Sequence, residues 1–402
     1  MKKGWQTKTL GEVCEVVNGG TPKTGVAEYW DGNNLWITPA EMGKRLSPYV
    51  SDTERKLTDL GLRNSSAQML PPNSVILSSR APIGHLVINT EPMATNQGCK
   101  GLIPASQLQH KYLYYYLGSI VDLLNSLGTG ATFRELSGSK LKEVAIPVAP
   151  LPEQRRIVSI LDEAFEGIAS AKANAEKNSQ NARALFESHL QSVFANAWRI
   201  CELVTLSDLA TDITDGDHLP PPKSPSGVPF ITIGNIVKET RKIDFTDTFM
   251  VPHAYFDRLK PNKRPKKGDV LYTVTGSFGI PVCVEENAKF CFQRHIGLIR
   301  PNSETSSKWL YYLLLSPQVF KQANDGATGT AQKTVSLNLL RSFKVPRAPL
   351  ALQRSAVDGL DALSEKTQRL ESIYRKRLEA LEALKKSLLH QAFTGQLGVQ
   401  PA

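Results

Sequence analysis

The side chains of this chain that could do chemistry are hydrogen-bonding groups in loops, and they occur in two sets. Arg and Lys suit guanine, Asn and Gln suit adenine, and hydroxyls and cations suit phosphate, so these residue types favour nucleic-acid contact. Any one of them could instead be a solvated loop residue, and His295 could be a hydrogen-bonded structural histidine. The first set comprises Thr21, Lys23, Ser79, Arg80, Asn96, Gln97, Lys100, Thr129, Thr132 and Arg134. The second comprises Lys223, Thr275, Ser277, Gln293, Arg294, His295, Thr328, Thr330, Gln332 and Lys333.

The charge of the chain favours an anionic partner. It carries 48 Lys and Arg against 38 Asp and Glu, a net charge of +10 that is spread along the sequence. Nucleic acid is favoured over a membrane surface because no strongly amphipathic basic helix is evident. No window approaches the roughly 18 apolar residues of a membrane span, and the N-terminus lacks an apolar signal core. We therefore expect a cytoplasmic protein. Its five cysteines form no CxxC pair, so they are expected to be reduced and mostly packed.

Catalytic motifs are absent from the sequence. It contains no GxxxxGK[ST] phosphate loop, no GxGxxG, no GxSxG elbow and no HExxH. The (D/N/S)PP(Y/F) loop of adenine methyltransferases is also missing. Glu54 and Lys56 form an ExK, but no Pro-Asp precedes them at nuclease spacing. The chain is therefore predicted to be a binding protein with no catalytic residue, metal site or cofactor of its own.

The elements that position the two sets of loops are also duplicated. PLPEQRRIVSILD at 150–162 and PLALQRSAVDGLD at 349–361 agree at seven of thirteen positions, with a shift of 349 − 150 = 199. Upstream of these motifs, NSVILSSRAPIG in the first half corresponds to GDVLYTVTGSFG in the second, and NQGCKGLIP corresponds to FQRHIGLIRP. A repeat this long indicates a duplicated half-protein and not a solenoid.

Each copy of the thirteen-residue motif is predicted to start a long helix with a coiled-coil seam, because apolar residues follow at steps of three and four. Asn178 and Arg377 interrupt the seams and lie 377 − 178 = 199 residues apart. They are either imperfections of the heptads or polar residues that determine register and partner choice. The predicted seam residues are Ile157, Leu161, Ile168, Asn178 and Leu185 in the first helix, and Leu360, Leu363, Leu370, Arg377 and Leu384 in the second.

These elements predict an α/β (α+β) protein in which strands, turns and one helix mix without regular βαβ units. The aromatic segment KYLYYYLGS is expected to be a core helix. If the two long helices pack as an antiparallel coiled coil, the molecule has a pseudo-two-fold axis. The predicted order is a first domain at 1–150, a helix at 151–197, a second domain at 198–348, a helix at 349–395 and a tail at 396–402.

The duplicated plan resembles the specificity subunit of type I restriction–modification enzymes over essentially the whole chain. The motifs that carry the resemblance are the PLPEQRR and PLALQR helix starts and the LFESHLQSVF and LKKSLLHQAF helix ends. The second copy differs at Ala351 and Leu352, where the first has Pro152 and Glu153.

The resemblance implies a non-catalytic subunit with two target-recognition domains, each reading one half of an asymmetric split sequence in double-stranded DNA. The coiled coil would set the spacer between the halves. It also implies two methyltransferase subunits that use S-adenosylmethionine and two restriction (translocase–endonuclease) subunits that use ATP and Mg²⁺. Two alternatives remain open: a stand-alone bipartite DNA-binding protein, and a coiled-coil scaffold that binds only proteins.

Overall fold

The computed structural model describes residues 4–130, 134–218, 221–287, 289–330 and 332–397. These residues form two compact units. Unit 1 contains the described residues up to Ala175 together with those from Arg375 onward, and unit 2 runs from Glu176 to Tyr374. Each unit contains one globular domain of mixed helix and strand with parts of two long helices. The predicted fold class is therefore confirmed.

Unit 1 is built on a five-stranded sheet, a three-stranded sheet and a two-stranded ribbon. Its strands are β1 (Gln6–Thr9), β2 (Cys14–Asn18), β3 (Trp30–Ile37), β4 (Tyr49–Val50), β5 (Arg55–Leu57), β6 (Val75–Ser79), β7 (Ile83–Asn89), β8 (Met93–Thr95), β9 (Cys99–Pro104) and β10 (Ala145–Val148). Its helices are α1 (Leu10–Val13), α2 (Pro39–Met42), α3 (Asp59–Arg63), α4 (His110–Ser119), α5 (Val121–Leu127), α6 (Gly138–Glu143) and the first part of α7 (Leu151–Ile200). The strand orders are β2-β9-β6-β7-β4, β5-β3-β8 and β1-β10.

Unit 2 repeats most of this plan. Its strands are β11 (Glu202–Thr205), β12 (Ala210–Asp215), β13 (Val228–Ile231), β14 (Ile236–Val237), β15 (Lys242–Ile243), β16 (Phe249–Val251), β17 (Val270–Thr273), β18 (Pro281–Cys283), β19 (Cys291–Phe292), β20 (Ile296–Pro301) and β21 (Lys344–Arg347). Its helices are α8 (His253–Arg258), α9 (Ser307–Leu315), α10 (Pro317–Gly326), α11 (Leu337–Ser342) and the first part of α12 (Leu350–Thr394). The orders β12-β20-β17-β18, β16-β13-β19 and β11-β21 match those of unit 1, except that among the described residues no strand of unit 2 takes the place of β4, and β14-β15 is an added hairpin.

A buried glutamine explains why the helix-start motif is repeated. The side-chain amide of Gln154 donates to the carbonyls of Gln107 (2.9 Å) and Ala149 (2.7 Å), and its oxygen accepts from the backbone N–H of Gln109 (2.9 Å). Gln109 is the residue immediately before α4. One side chain therefore joins the start of the long helix to the β9–α4 turn and satisfies three backbone groups.

Gln353 makes the same three contacts in unit 2. Its amide donates to the carbonyls of Glu304 and Ala348, both at 2.8 Å, and its oxygen accepts from Ser306 N at 2.8 Å. The two glutamines are 353 − 154 = 199 residues apart and are 0% and 2% exposed. The shared motif is thus a structural connection between each domain and its helix.

The last residue of the motif, an aspartate, makes a second connection. Asp162 accepts hydrogen bonds from the Tyr115 hydroxyl and from Lys111 Nζ, the latter at 2.7 Å. Burial, and next the hydrogen bond to Asp162, raises the pKa of Tyr115. Asp361 accepts from Tyr312 and lies 3.5 Å from Lys308 Nζ in the same way. The aromatic helix α4 is therefore packed against α7, and its buried rings belong to the core as predicted.

The long helices run antiparallel where they meet within each unit. In unit 1 Ile157 and Leu161 belong to the same core cluster as Leu389 and Ala392. Lys172 forms an ion pair with Glu382 further along the same two helices. In unit 2 Arg183 pairs with Glu371, and Phe194 lies in one cluster with Val357 and Leu360.

The burial pattern departs from the predicted seam as the helices proceed. Ile157, Leu161, Ile168 and Leu360 are buried and Leu363 is half-buried, but Asn178, Leu185, Leu370, Arg377 and Leu384 are exposed. Ala175 and Ala182 are the buried residues beside Asn178 and Leu185. A straight α-helix drifts by about 20° per heptad from a strict seven-residue repeat, so positions assigned from the first turns rotate outward. This part of the predicted seam was wrong.

Candidate nucleic-acid interface

In unit 1 the loop after β2 lies against the loop between β8 and β9. A Cβ on Gly19 would lie only 1.9 Å from the carbonyl oxygen of Asn96, so only glycine allows this approach. The Asn96 amide donates to Thr21 Oγ1 at 2.9 Å, and its oxygen accepts from Gly98 N at 2.8 Å. Asn96 thus holds the two loops together, while the neighbouring Gln97 side chain is exposed. Of these predicted contact residues, Gln97 and Lys23 are presented to solvent.

A charged cluster lies beside these loops. Glu135 is 3.9 Å from an Arg80 guanidinium nitrogen and 4.0 Å from Lys100 Nζ. Arg80 is partly exposed, whereas Lys100 is 6% exposed, and its burial lowers its pKa. Lys100, Thr129 and Glu135 line a cleft of about 750 Å³. This cleft offers a cationic wall at which Glu135 offsets part of the positive charge.

One residue predicted in these loops, Ser79, is buried in the structure. Ser79 is the last residue of β6, its backbone bonds to both Gly98 and Leu136, and its side chain is fully buried. The expectation that the Ser79 side chain meets a ligand is therefore wrong for this chain. Thr129 and Arg134 are exposed. Thr132 lies outside the described residues.

Unit 2 brings the corresponding loops together with other side chains. A Cβ on Gly216 would lie 1.8 Å from the carbonyl oxygen of Phe292, as at Gly19 in unit 1. The N–H of Gln293 donates to the carbonyl of Ile231 at 3.0 Å, and the Gln293 side chain is half-buried. Arg294 is exposed, and its Nε lies 3.3 Å from His295 Nε2. The most prominent donor of this loop is therefore Arg294, at the position of Gln97.

In the neighbouring loops of unit 2, two neutral threonines, Thr275 and Thr334, face each other where unit 1 has the charged pair of Arg80 and Glu135. Thr334 Oγ1 donates to Thr275 Oγ1 at 3.4 Å, and Lys333 Nζ lies 3.3 Å from Asn324 Oδ1. Lys223 lies over the ring of Phe249, 5.2 Å from its centroid. The structure thus places Lys223 beside the three-stranded sheet. The remaining predicted residues of this unit are also exposed: Ser277, Thr328, Thr330 and Gln332.

A profile of the Type I restriction modification DNA specificity domain matches the chain twice, at residues 2–177 and 201–380. The chain belongs to this family. The two matches coincide with the two duplicated halves, so the predicted family is confirmed. None of the described helices combines the length and hydropathy that a bilayer crossing requires.

Several curated members of the family are similar in sequence. The Type I restriction enzyme MjaIX specificity subunit of Methanocaldococcus jannaschii is 36% identical over 188 residues, which is 46% of this chain and 44% of the relative. The EcoR124I/EcoR124II specificity subunit of Escherichia coli is 35% identical over 162 residues, 39% of each chain. In these two matches the chain spans less than half of the relative. The MjaVIII specificity subunit of M. jannaschii is 21% identical over 98% of this chain and 93% of the relative.

Solved structures show the same fold. A chain from a structure of the assembly and conformational transition of the type I R-M system has a TM-score of 0.79 at 20% identity and covers 99% of both chains. The HsdS subunit from Thermoanaerobacter tengcongensis has a TM-score of 0.59 at 18% identity, with 99% of this chain and 98% of that chain covered. At these identities the likeness concerns the fold alone.

Proposed function

We propose that this chain is the DNA-reading subunit of a type I restriction–modification complex and that each unit reads one half of an asymmetric bipartite target in double-stranded DNA. The observation that carries this proposal is the pairing of one backbone framework with different exposed donors. Gln97 suits adenine, and Arg294 suits guanine. Two domains with different donors at one position should prefer different half-sites.

The long helices set the spacer between the half-sites in this proposal and dock two methyltransferase and two restriction subunits. Leu185 and Leu384 support a docking role. They lie 384 − 185 = 199 residues apart and are 60% and 47% exposed. An apolar side chain left exposed at the same position of both copies suits a surface that partners cover.

The chemistry belongs to those partners. The methyltransferase subunits supply S-adenosylmethionine-dependent adenine methylation, and the restriction subunits supply ATP- and Mg²⁺-dependent translocation and cleavage. This chain contributes recognition, spacing and assembly, and it has no catalytic role.

The test is to co-express the chain with a methyltransferase subunit of a type I system from its own host and to map methylated adenines. We expect one asymmetric sequence of two parts separated by a constant spacer. Replacing residues 198–348 with another such domain should change one half of that sequence only. A palindromic target, or a swap that alters both halves, would contradict independent reading. A complex that binds its partners but not DNA would indicate a protein scaffold.

A further inference from the structure

In unit 1 an exposed arginine lies on a pair of tryptophans next to the candidate interface. The Arg55 guanidinium carbon is 3.7 Å from the centroid of Trp30 and 5.5 Å from that of Trp36. The two rings meet edge to face, with centroids 5.1 Å apart. Stacking over an aromatic face attracts the cation and limits its rotamers. Arg55 is therefore held in position in the free chain.

The same tryptophans hold the candidate DNA loop. Trp30 Nε1 donates to the carbonyl of Lys23 at 3.3 Å, and Trp36 Nε1 donates to the carbonyl of Gly20 at 2.9 Å. Thr21, between them, accepts the bond from Asn96. Arg55 is thus connected through two rings to the loop that carries Lys23 and packs against the Asn96–Gln97 turn.

In the described part of the chain, the Arg55 guanidinium has no charged or hydrogen-bonding partner beyond these rings. Among the residues that the structure describes, it forms no ion pair and donates no hydrogen bond, and the residue is exposed. A guanidinium that lies on a ring keeps its N–H edge free, and that edge matches two oxygens of a phosphate. The stacked Arg55 guanidinium is thus held in one orientation, with its N–H donors and its positive charge available to a ligand.

Unit 2 has a cation over an aromatic pair in the corresponding sheet, built from different positions. β5 and β16 pair with β3 and β13 in the same way, so Arg55 opposite Trp36 corresponds to Phe249 opposite Phe230. Phe249 stacks on Phe230 with centroids 4.9 Å apart, and the cation above it is Lys223, from the loop. Only Trp36 and Phe230 occupy equivalent positions, yet each unit has a cation over an aromatic pair in this sheet. This recurrence from different residues points to a function of the charge at this place.

We propose that Arg55 on its tryptophan pair binds a phosphate of the DNA backbone beside the half-site of unit 1, and that Lys223 on its phenylalanine pair does the same in unit 2. The proposal rests on the proposed DNA-reading function. A phosphate is favoured over a base because the stacked cation recurs in both units while the neighbouring donors, Gln97 and Arg294, differ. Arg55 forms a two-pronged contact, and Lys223 supplies a point charge.

The experiment measures binding of labelled duplexes by the complex of full-length chain and methyltransferase subunit between about 50 and 200 mM salt. Arg55→Met keeps the aliphatic stem on the ring and removes the charge. We expect roughly tenfold weaker binding, equal for cognate and altered duplexes, and a salt slope smaller by about one. Arg55→Lys should keep the slope and lose part of the affinity. Arg63→Met is the matched control, since Arg63 is exposed in the same domain.

Three outcomes overturn the proposal. The first is an Arg55→Met complex that binds DNA with the affinity and salt dependence of the wild type. Loss confined to duplexes with one particular base pair would make Arg55 a base contact. An equal loss in Arg63→Met would reduce the effect to net charge. Failure of the wild-type complex to bind DNA at all would instead refute the proposed function. Thermal unfolding of each variant identifies any loss caused by misfolding, and Lys223→Met gives an independent test in unit 2.

Discussion

The two units use the same backbone beside their candidate interfaces but different side-chain chemistry. Thr129 and Glu135 exchange two backbone hydrogen bonds in unit 1, as Thr328 and Thr334 do in unit 2. Glu135 is a carboxylate beside two cations, whereas Thr334 is a neutral hydroxyl that bonds to another threonine. The framework therefore places each loop, and the side chains on it are free to differ. Recognition can change in this way while the fold stays constant.

The largest expected effect tests the shared part of this comparison. Gln154→Ala leaves three backbone groups without their partner, and each unsatisfied buried group costs about 1–3 kcal/mol. We expect unit 1 to lose about 3 kcal/mol or more of local stability, with faster hydrogen exchange in the first turns of α4 and α7. Gln353→Ala should do the same in unit 2 only. Gln180→Ala, at an exposed position of α7, is the control. Unchanged exchange in both glutamine variants would show that the connection is not structural.

The sequence predicted that this motif starts a helix but not what its glutamine does. A Gln in the first turn of a helix usually lies on the surface, and no local pattern indicates burial. Its partners, Gln107 and Gln109, are more than forty residues away in the chain. Only the packing of α4 against α7 brings them together. The identity of Gln154 and Gln353 across the repeat was the available signal, and comparison of the copies could have identified both as structural.

The second prediction tests the part of the comparison that differs. Gln97 and Arg294 occupy equivalent exposed positions, so the reciprocal exchanges Gln97→Arg and Arg294→Gln alter one donor at a time. Each should weaken its own half-site by about 1–3 kcal/mol, because a bidentate base contact is lost. Arg294→Gln should relax the half read by unit 2 and leave the other half unchanged. Competition binding against every single-base variant of the target measures this. Equal losses across both halves would contradict independent reading.

The candidate site was predictable by loop but not by side chain. The sequence placed Thr21, Asn96 and Gln97 in loops of the first half and Thr275 and Thr328 in loops of the second, but it did not indicate which of these loops contact each other. The sequence does not show which of these polar side chains forms hydrogen bonds within the protein. The side-chain amide of Asn96, for example, donates to Thr21 Oγ1. Arg55 was missed because it lies on a short strand, where the sequence does not show which aromatic rings it meets, and only the fold places it on Trp30.

The smallest expected effect concerns the charge difference at Glu135 and Thr334. Glu135→Thr makes unit 1 like unit 2 and removes an anion from the cationic cleft. DNA binding should tighten by about threefold, because the pair of Glu135 with Arg80 is solvent-accessible and such ion pairs are worth less than ~1 kcal/mol. The affinity should also become more salt-dependent, since Arg80 then faces phosphate without a competing carboxylate. Glu91→Thr, which removes the same charge at another exposed position of unit 1, is the control.

The reciprocal variant separates this electrostatic effect from a change in folding. Burial lowers the pKa of Lys100 and the Glu135 carboxylate opposes part of that shift, so Glu135→Thr also leaves Lys100 less able to hold its proton. Thr334→Glu carries no such complication, because Gly297 occupies the position of Lys100 in unit 2. It should weaken DNA binding by about threefold without altering the bases preferred. If Glu135→Thr and Thr334→Glu change affinity in the same direction, charge at this position is not what distinguishes the two units. Opposite changes of equal size would show that charge at this position adjusts DNA affinity independently of base readout.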